Sequence, residues 1–330
     1  MTEMNNDPFD LLGQGGGMPT PSPEEEASAF TRLESAIGAE QRMMHRTVRR
    51  RWVIAAVAAI VVLIAGVGTL VQPRPARAVL MELAEAARDA TPLDVPAGSF
   101  IYVESERVDL ISRPGSEFGL DRAEVGYLLP TTREVWRNPG VRFIQIRATV
   151  GTPQFFDRDV EAAYYALGLD KTDRVGETSV QQLVDVADVY VETDWPTDPG
   201  QLRQEMETAV ANSDDQVPIE ARLLGFAANL LRETNPSPQL RAAILEVLAD
   251  LPLELEDQHQ DGSITIGVTY RNPLLTRDAI TVSQDGQLLA ETTTLLEPDQ
   301  ELGIPEGTQI SIAKYQLPTL TDRLDGPPAG

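Results

Sequence analysis

Trp52 to Val71 is an uninterrupted run of 20 residues with no charge and no proline, nearly all Val, Ile, Ala, Leu or Gly. As a helix rising 1.5 Å per residue it spans about 30 Å, the thickness of the hydrocarbon core of a bilayer. We read it as one transmembrane helix. Arg42, Arg46, Arg49, Arg50 and Arg51 lie just before it, and only Arg74 and Arg77 just after. The positive-inside rule then places the N-terminus in the cytosol and the long C-terminal part outside. The Arg-rich segment, the apolar run and Ala76-Arg77-Ala78 together also imitate a cleaved leader, with Arg49-Arg50-Arg51-Trp52 brushing a twin-arginine signal. The apolar run is longer than a leader's, the residues before it are too many, and Arg74 and Pro75 crowd the cleavage position, so a retained anchor is expected. Ala55 with Ala59, and Ala65 with Thr69, are small pairs able to seat a partner helix, although an Ala-rich lipid-facing helix is the plainer reading.

The formal charge of -24 over 330 residues is uneven. Residues 1–51 carry 8 acidic and 6 basic side chains, and residues 72–330 carry 43 and 21. A domain of that sign repels phosphate backbones and anionic headgroups, so no nucleic-acid partner is expected. The chain has no cysteine, which removes thiolate metal sites and Cys nucleophiles and leaves the domain to be held by its core.

Residues 1–23 read as a disordered cytosolic arm, polar and rich in Gly and Pro, with Asp7-Pro8-Phe9-Asp10-Leu11-Leu12 as a short docking motif or simply a solvated stretch. No Gly-Lys-Ser/Thr follows Gly15-Gly16-Gly17, so that patch is not a phosphate loop. Residues 24–51 read as a juxtamembrane helix capped by Ser22, with Pro23 at its first position and Glu24, Glu25 and Glu26 at the positive end of its dipole. Ala27, Phe30, Leu33, Ile37, Met44 and Val48 form a stripe that a partner, a second copy or the inner leaflet would cover. Phe30, Leu33, Ile37 and Met44 are the candidate partner-binding residues. A frayed helix broken at Gly38 is the rival reading.

A linker at 72–77 leads to an α+β domain at 78–318. An amphipathic helix, Ala78 to Ala90, opens it with Val79, Leu80, Leu83, Ala86, Ala87 and Ala90 on one face. Strands are expected at Ser99 to Ile111, more weakly at Thr132 to Arg137, and at Arg142 to Val150. In the last, Ile144, Ile146, Ala148 and Val150 alternate with Gln145, Arg147 and Thr149, the mark of an antiparallel sheet with one wet face. Asp159 to Gly168 reads as a short helix, and the ground to Thr193 is ambiguous. Three helices follow. Asp198-Pro199 starts the first, with Gln201 in the capping-box position; Ile219 to Leu230 carry the second; Ser237-Pro238 opens the third, which Pro252 stops. Asp261-Gly262 and Asp285-Gly286 then mark two hairpins, Leu253 to Glu256 with Ile264 to Tyr270 and Ile280 to Ser283 with Leu288 to Leu295. A strand at Thr308 to Tyr315 precedes a tail, 319–330, read as disordered.

Chemistry is sparsely signalled. His45 and His259 fall on opposite sides of the expected membrane, so no His pair serves one site. Asp257, His259, Asp261 and Gly262 imitate the start of a calcium loop, but Val268 stands where the closing Glu belongs, and a turn is the better reading. Trp195 and Tyr164-Tyr165 are candidates for a ligand groove or, more simply, for core. No catalytic, cofactor or metal residue is assigned.

The order of parts resembles an uncharacterised family of actinobacterial single-pass membrane proteins associated with extracytoplasmic-function sigma factors. The residues carrying the likeness are Trp195-Pro196-Thr197-Asp198-Pro199 with Leu202-Arg203, Leu230-Leu231-Arg232-Glu233-Thr234, Ser237-Pro238-Gln239-Leu240-Arg241-Ala242-Ala243, Ala249-Asp250-Leu251-Pro252 and Asp285-Gly286-Gln287-Leu288-Leu289. It implies an exterior domain similar to lipoprotein-carrier half-barrels, with helices on the concave face of an antiparallel sheet, and it brings no catalytic residues. A non-enzymatic envelope sensor or regulator is the first functional expectation, with a cytosolic regulator such as a sigma factor as partner. The alternative is a tethered carrier whose exterior domain binds a lipid or envelope protein; a carrier needs an open apolar cavity and a sensor does not. On this reading a reporter fused after Gly330 should be active only outside the cytosol, and one fused before Met1 only inside. A cytosolic C-terminus in that experiment would overturn the topology.

Overall fold

The computed structural model describes residues 75–138, 143–184, 195–211, 216–233, 235–302 and 304–324. The arm, the expected juxtamembrane helix with Phe30, Leu33, Ile37 and Met44, and the apolar run at 52–71 lie outside them. Among the described residues no helix is long and apolar enough to cross a membrane.

The described residues form an α+β fold on a large antiparallel sheet. Its first meander is β1 (Phe100–Pro114), β2 (Glu124–Asn138), β3 (Phe143–Val150) and β5 (Thr178–Val184). The second is β6 (Glu254–Gln258), β7 (Ile264–Arg271), β8 (Leu275–Val282), β9 (Leu288–Leu295) and β10 (Gln309–Tyr315). β10 returns to pair with β1, giving the order β5-β3-β2-β1-β10-β9-β8-β7-β6. The short β4 (Gln154–Phe155) adds to β2, and β11 (Thr319–Thr321) adds to β1. The expected tail is therefore corrected at its start. Thr321, Leu320 and Thr319 pair with Phe100, Ile101 and Tyr102, and the Leu324 carbonyl accepts from Gln145 Nε2 at 2.8 Å.

The helices are α1 (Ala76–Asp89), α2 (Arg158–Ala166), α3 (Leu169–Thr172), α4 (Pro199–Val210), α5 (Ile219–Glu233) and α6 (Pro238–Ala249). Their starts follow local chemistry. The Asp198 carboxylate accepts from the Gln201 amide at 2.9 Å, the Ser237 hydroxyl accepts from the Leu240 amide at 3.2 Å, and each is followed by proline, whose missing N–H costs nothing at that position. α5 packs over β7, β8 and β9, while α1 and α4 flank α6. Sequence periodicity gives α6 one apolar stripe. The fold instead buries it nearly all round, Ala242, Ala243 and Leu245 included, because α1, α4 and α5 all pack against it. Even Arg241 is buried, its nearest ionic partner Asp285 being 3.6 Å away in the β8–β9 turn, and burial pulls its pKa below the usual arginine value while Asp285 opposes.

The expected strands form longer than pattern alone marks. β2 begins at Glu124, and β8 at Leu275. β5 falls in the stretch that alternation left ambiguous. On β3, Gln145 was expected on a wet face but is buried, covered by Gln182 and the 319–324 segment; Ile146 opposite is only half-buried.

Gly286 shows why the Asp-Gly turn belongs here. Its φ is +76°, and a Cβ on it would lie 3.1 Å from both Ala87 Cβ and Leu245 Cδ1, so the hairpin tip seats directly on α1 and α6. Gly307 has a similar φ of +80°, and among the described residues no atom lies within 4 Å of a Cβ placed there. Gly286→Ala should therefore cost about 2–4 kcal/mol, from left-handed strain plus crowding, against about 1–2 kcal/mol for Gly307→Ala. Thermal unfolding of the two variants checks this; equal losses would mean that the contact of the tip with the helices contributes nothing.

Candidate functional site

In an antiparallel ladder, directly paired residues share a face and alternate residues along each strand return to it. β1 and β2 pair from Ile101↔Arg137 to Pro114↔Glu124 without a break, and Ser105 also pairs with Tyr315 of β10. Ile101, Val103 and Ser105, with Val135, Arg133 and Arg137 opposite, thus stand on one face together with Tyr315. The same face carries Ile264, Ile266 and Val268 of β7 under α5, as the registers through β8 and β9 show. We call it the helix-covered face.

The last turn of α5 comes down over this group, and a cavity of about 30 Å³ remains between them. Arg133 and Arg137 rise from β2, Arg232 descends from α5, and Ile101, Val103, Val135, Leu231 and Pro318 supply apolar wall. Among the described residues no acidic side chain lines it, although Glu291 bonds Arg232 and Tyr315 beside it. Arg137 is 7% exposed and Arg133 half-buried. Arg232 is held by an ordered set of bonds: Nη1 donates to Glu291 Oε1 at 3.0 Å and to the Tyr315 hydroxyl oxygen at 3.2 Å, and Nη2 donates to Asn229 Oδ1 at 2.5 Å. The Tyr315 O–H donates to the same Glu291 oxygen at 2.6 Å. Burial first, and Glu291 second, push the Tyr315 phenol above its ordinary pKa, while Arg232 pulls the other way. Asn235, which completes the wall, has φ +43°, a left-handed conformation beyond the helix end that Asn tolerates better than most side chains.

A second polar assembly lies at the far end of β1 and β2. Asp173, its side chain 6% exposed, pairs with Arg113 and accepts from the Tyr127 and Tyr164 hydroxyls, the latter at 3.0 Å. Arg113 Nε also donates to the Tyr127 oxygen at 3.0 Å. Burial, then the bond and charge of Asp173, raise both phenols. Burial alone would lower Arg113, but Tyr127 and Asp173 carry it upward. Phe155 and Val160 pack around these rings. With its carboxylate satisfied from three sides and its phenols held neutral, this assembly presents neither nucleophile nor base, and it ties α2 and α3 to β2.

The residues singled out in the sequence fall elsewhere. Trp195 sits in the main core with its ring 5.5 Å from Phe226, Tyr164 is fully buried, and Tyr165 is exposed against Tyr164. His259 is exposed, 3.0 Å from the Thr265 hydroxyl. Asp261 accepts from the amide and the hydroxyl of Ser263, as an Asx turn does, so its carboxylate serves the hairpin. Among the described residues no group of three or more His, Asp or Glu is placed to hold a metal. No protein-family model matches the chain, and no curated protein matches it. The family likeness accordingly rests on the residues quoted for it.

The cavity arginines went unmarked in the sequence, though a signal was present. Arg133, Val135 and Arg137 lie two apart in a strand, which puts two cations and an apolar residue on one face of an acidic chain. The contribution of α5 has no local signature, because Arg232 reaches the site only through the tertiary packing of its helix.

Tyr102 follows the same chemistry on the opposite face, donating to Glu104 and Glu134, both at 3.1 Å, and Tyr270 donates to Asp278 at 2.7 Å. Both phenols are raised, by burial first and by those carboxylates second. The fold thus keeps five tyrosines, 102, 127, 164, 270 and 315, protonated, whereas the unfolded chain releases those protons near pH 10. A raised folded-state value means stability that is complete below that pH and lost as pH climbs above it. Melting temperature should fall steeply above pH 10, and the phenolate absorbance of these five should appear together with unfolding. Smooth ionisation of all of them in the still-folded protein would contradict the buried phenol–carboxylate bonds.

Proposed function

We propose that the chain is a non-enzymatic, membrane-tethered binding protein of the cell envelope, acting as a sensor or regulator. Residues 52–71 anchor it in the cytoplasmic membrane, the α+β domain lies outside as a half-barrel-like sheet covered by helices, and the cytosolic arm contacts a regulator such as a sigma factor. The observation that supports a sensor over a carrier is the size and charge of the cavity beneath α5. At about 30 Å³, with Arg133, Arg137 and Arg232 among its described lining residues, it is too small for an acyl chain. The likeness to the sigma-factor-associated family points the same way.

The carrier reading has one observation in its favour. On β3 the helix-covered face continues from the cavity as Ile146, Ala148 and Val150, all only half-buried. An apolar strip of that kind suits a lipid or an envelope protein.

The arm decides between the two. Replacing Phe30, Leu33 and Ile37 by Asp removes three apolar groups from one stripe, each contributing roughly 1.5–3 kcal/mol to whatever covers it. Full-length protein taken from membranes should lose its cytosolic partner on this change, with the melting temperature of the α+β domain unmoved. If wild type recovers no cytosolic protein above background, or the triple variant recovers the same ones, the arm is only a tether. Lipid found by mass spectrometry in the same preparation would then make the carrier the better reading.

A further inference from the structure

We propose that two copies of the chain pair through the outer edge of β5, joining their sheets into one across a twofold axis. The inference goes beyond the sensor reading and does not depend on what the arm or the cavity binds. It follows from what the two ends of the sheet present.

The strand path ends at β5 on one side and β6 on the other. β6 is guarded against pairing. It carries Glu254, Glu256 and Asp257, its ladder with β7 is irregular between Leu255 and Asp257, and Glu254 and Glu256 are tied to Arg277. Two copies meeting there would set carboxylate against carboxylate. β5 has none of these devices. Among the described residues, Thr178-Ser179-Val180-Gln181-Gln182-Leu183-Val184 is the one strand longer than three residues that carries no charge, and its ladder with β3 is regular. In a chain of net charge -24, that leaves β5 as the end of the sheet where a second copy can approach without acid facing acid in the ladder.

The backbone is set out for such a pairing. The Val150 amide donates to the Glu177 carbonyl at 3.2 Å where the β3–β5 ladder begins. Alternation along an antiparallel pair then turns the main-chain groups of Ser179, Gln181 and Leu183 inward to β3 and those of Thr178, Val180 and Gln182 outward. Among the described residues no strand pairs with that outward side. An axis through Val180 sets Val180 opposite its own copy and Thr178 opposite Gln182 of the second copy. Each such pair exchanges main-chain hydrogen bonds in both directions, about six bonds in all.

The side chains agree with this register. Val180 is 57% exposed, the most of any large hydrophobic among the described residues, and it meets an identical β-branched side chain across the axis. Glu177 falls opposite Leu183 of the second copy, so the acid that precedes the strand meets no acid. A second copy also brings an edge that is already extended, so no segment has to be ordered on binding.

The test is sedimentation of the full-length protein in density-matched detergent micelles over a range of protein concentrations. Wild type should show a monomer–dimer equilibrium. Val180→Pro removes an outward N–H that β3 does not use, so the melting temperature should hold while the dimer dissociation constant rises by about tenfold or more. Val180→Glu and Val180→Lys each set like charges across the axis, and each alone should weaken the dimer. Mixed together they should restore it as a heterodimer, a result that decides the matter if the proline variant misfolds. Gln258→Glu, on the guarded edge, should change nothing. A wild type that stays monomeric at every concentration would overturn the proposal. A dimer unmoved by the Val180 changes would place the contact elsewhere and overturn it too, as would failure of the Glu and Lys variants to recover on mixing. No cytosolic partner enters this experiment, so its failure is distinct from failure of the arm to bind.

Discussion

The β1–β2 ladder is the constraint on which the rest depends. Its 14 consecutive residue pairs run without a bulge, so a strict two-residue alternation is enforced over its whole length. That alternation carries Arg113 and Tyr127 at one end to the same face as Arg133 and Arg137 at the other. The opposite face is equally committed. Trp136 is fully buried there, its ring 5.2 Å from Tyr102, with the Arg147 guanidinium 4.9 Å from the ring centroid. A slip of one residue would turn the indole toward α5 and the arginines toward Tyr102. Because both faces hold specific partners, register is fixed more firmly than in a sheet with one solvated side.

An acidic domain without disulfides has to accommodate carboxylates within its packed layers, and this one does so largely with phenols. Tyr102, Tyr127, Tyr164, Tyr270 and Tyr315 each donate to a carboxylate. A phenol–carboxylate bond leaves one charge where an ion pair would leave two, so less hydration is lost on burial, while the acceptor is still satisfied. Arginine enters where a carboxylate joins distant segments, as Asp173 does between α3 and β1 and Glu291 between β9 and α5. Arg241 shows the cost of the alternative: it is buried at 3% exposure with Asp285 no closer than 3.6 Å, and its pKa is drawn down accordingly. Its aliphatic stem still packs within α6's surroundings, so the position works as part of the core.

Much of the fold was legible because local chemistry and tertiary structure agree. Asp198-Pro199 and Ser237-Pro238 are helix starts in both sequence and structure, and Gly262 and Gly286 adopt the left-handed conformation that their hairpin turns require. Where the two levels diverge, the sequence misleads in identifiable ways. Thr178–Val184 has uncharged residues on both faces and no alternation, so β5 becomes a strand only by pairing with β3. Gln145 reads as a surface residue because its cover, the 319–324 segment, lies far away in sequence. The candidate site divides in the same manner. Arg133 and Arg137 needed only the strand period, whereas Arg232, Asn235 and Pro318 needed knowledge of where α5 ends and how β10 returns. The arm residues Phe30, Leu33, Ile37 and Met44 lie outside the described residues, so the stripe they form is legible in sequence alone.

The position of the cavity has a mechanical consequence. The first meander meets the second through β1 and β10, which share five paired residues, against 14 between β1 and β2. Polar groups of the helix-covered face lie along this joint: Ser311 donates to Asp109 at 2.8 Å, and Arg232 bridges α5 to Glu291 and Tyr315. The cavity opens beside them, with β1 and β2 on one wall and α5 and β10 on the other. A ligand seated there touches both meanders at once, and it shifts their arrangement only in so far as it contacts the two walls better in one arrangement than in another. Arg232 holds α5 to the second meander through Glu291 and Tyr315.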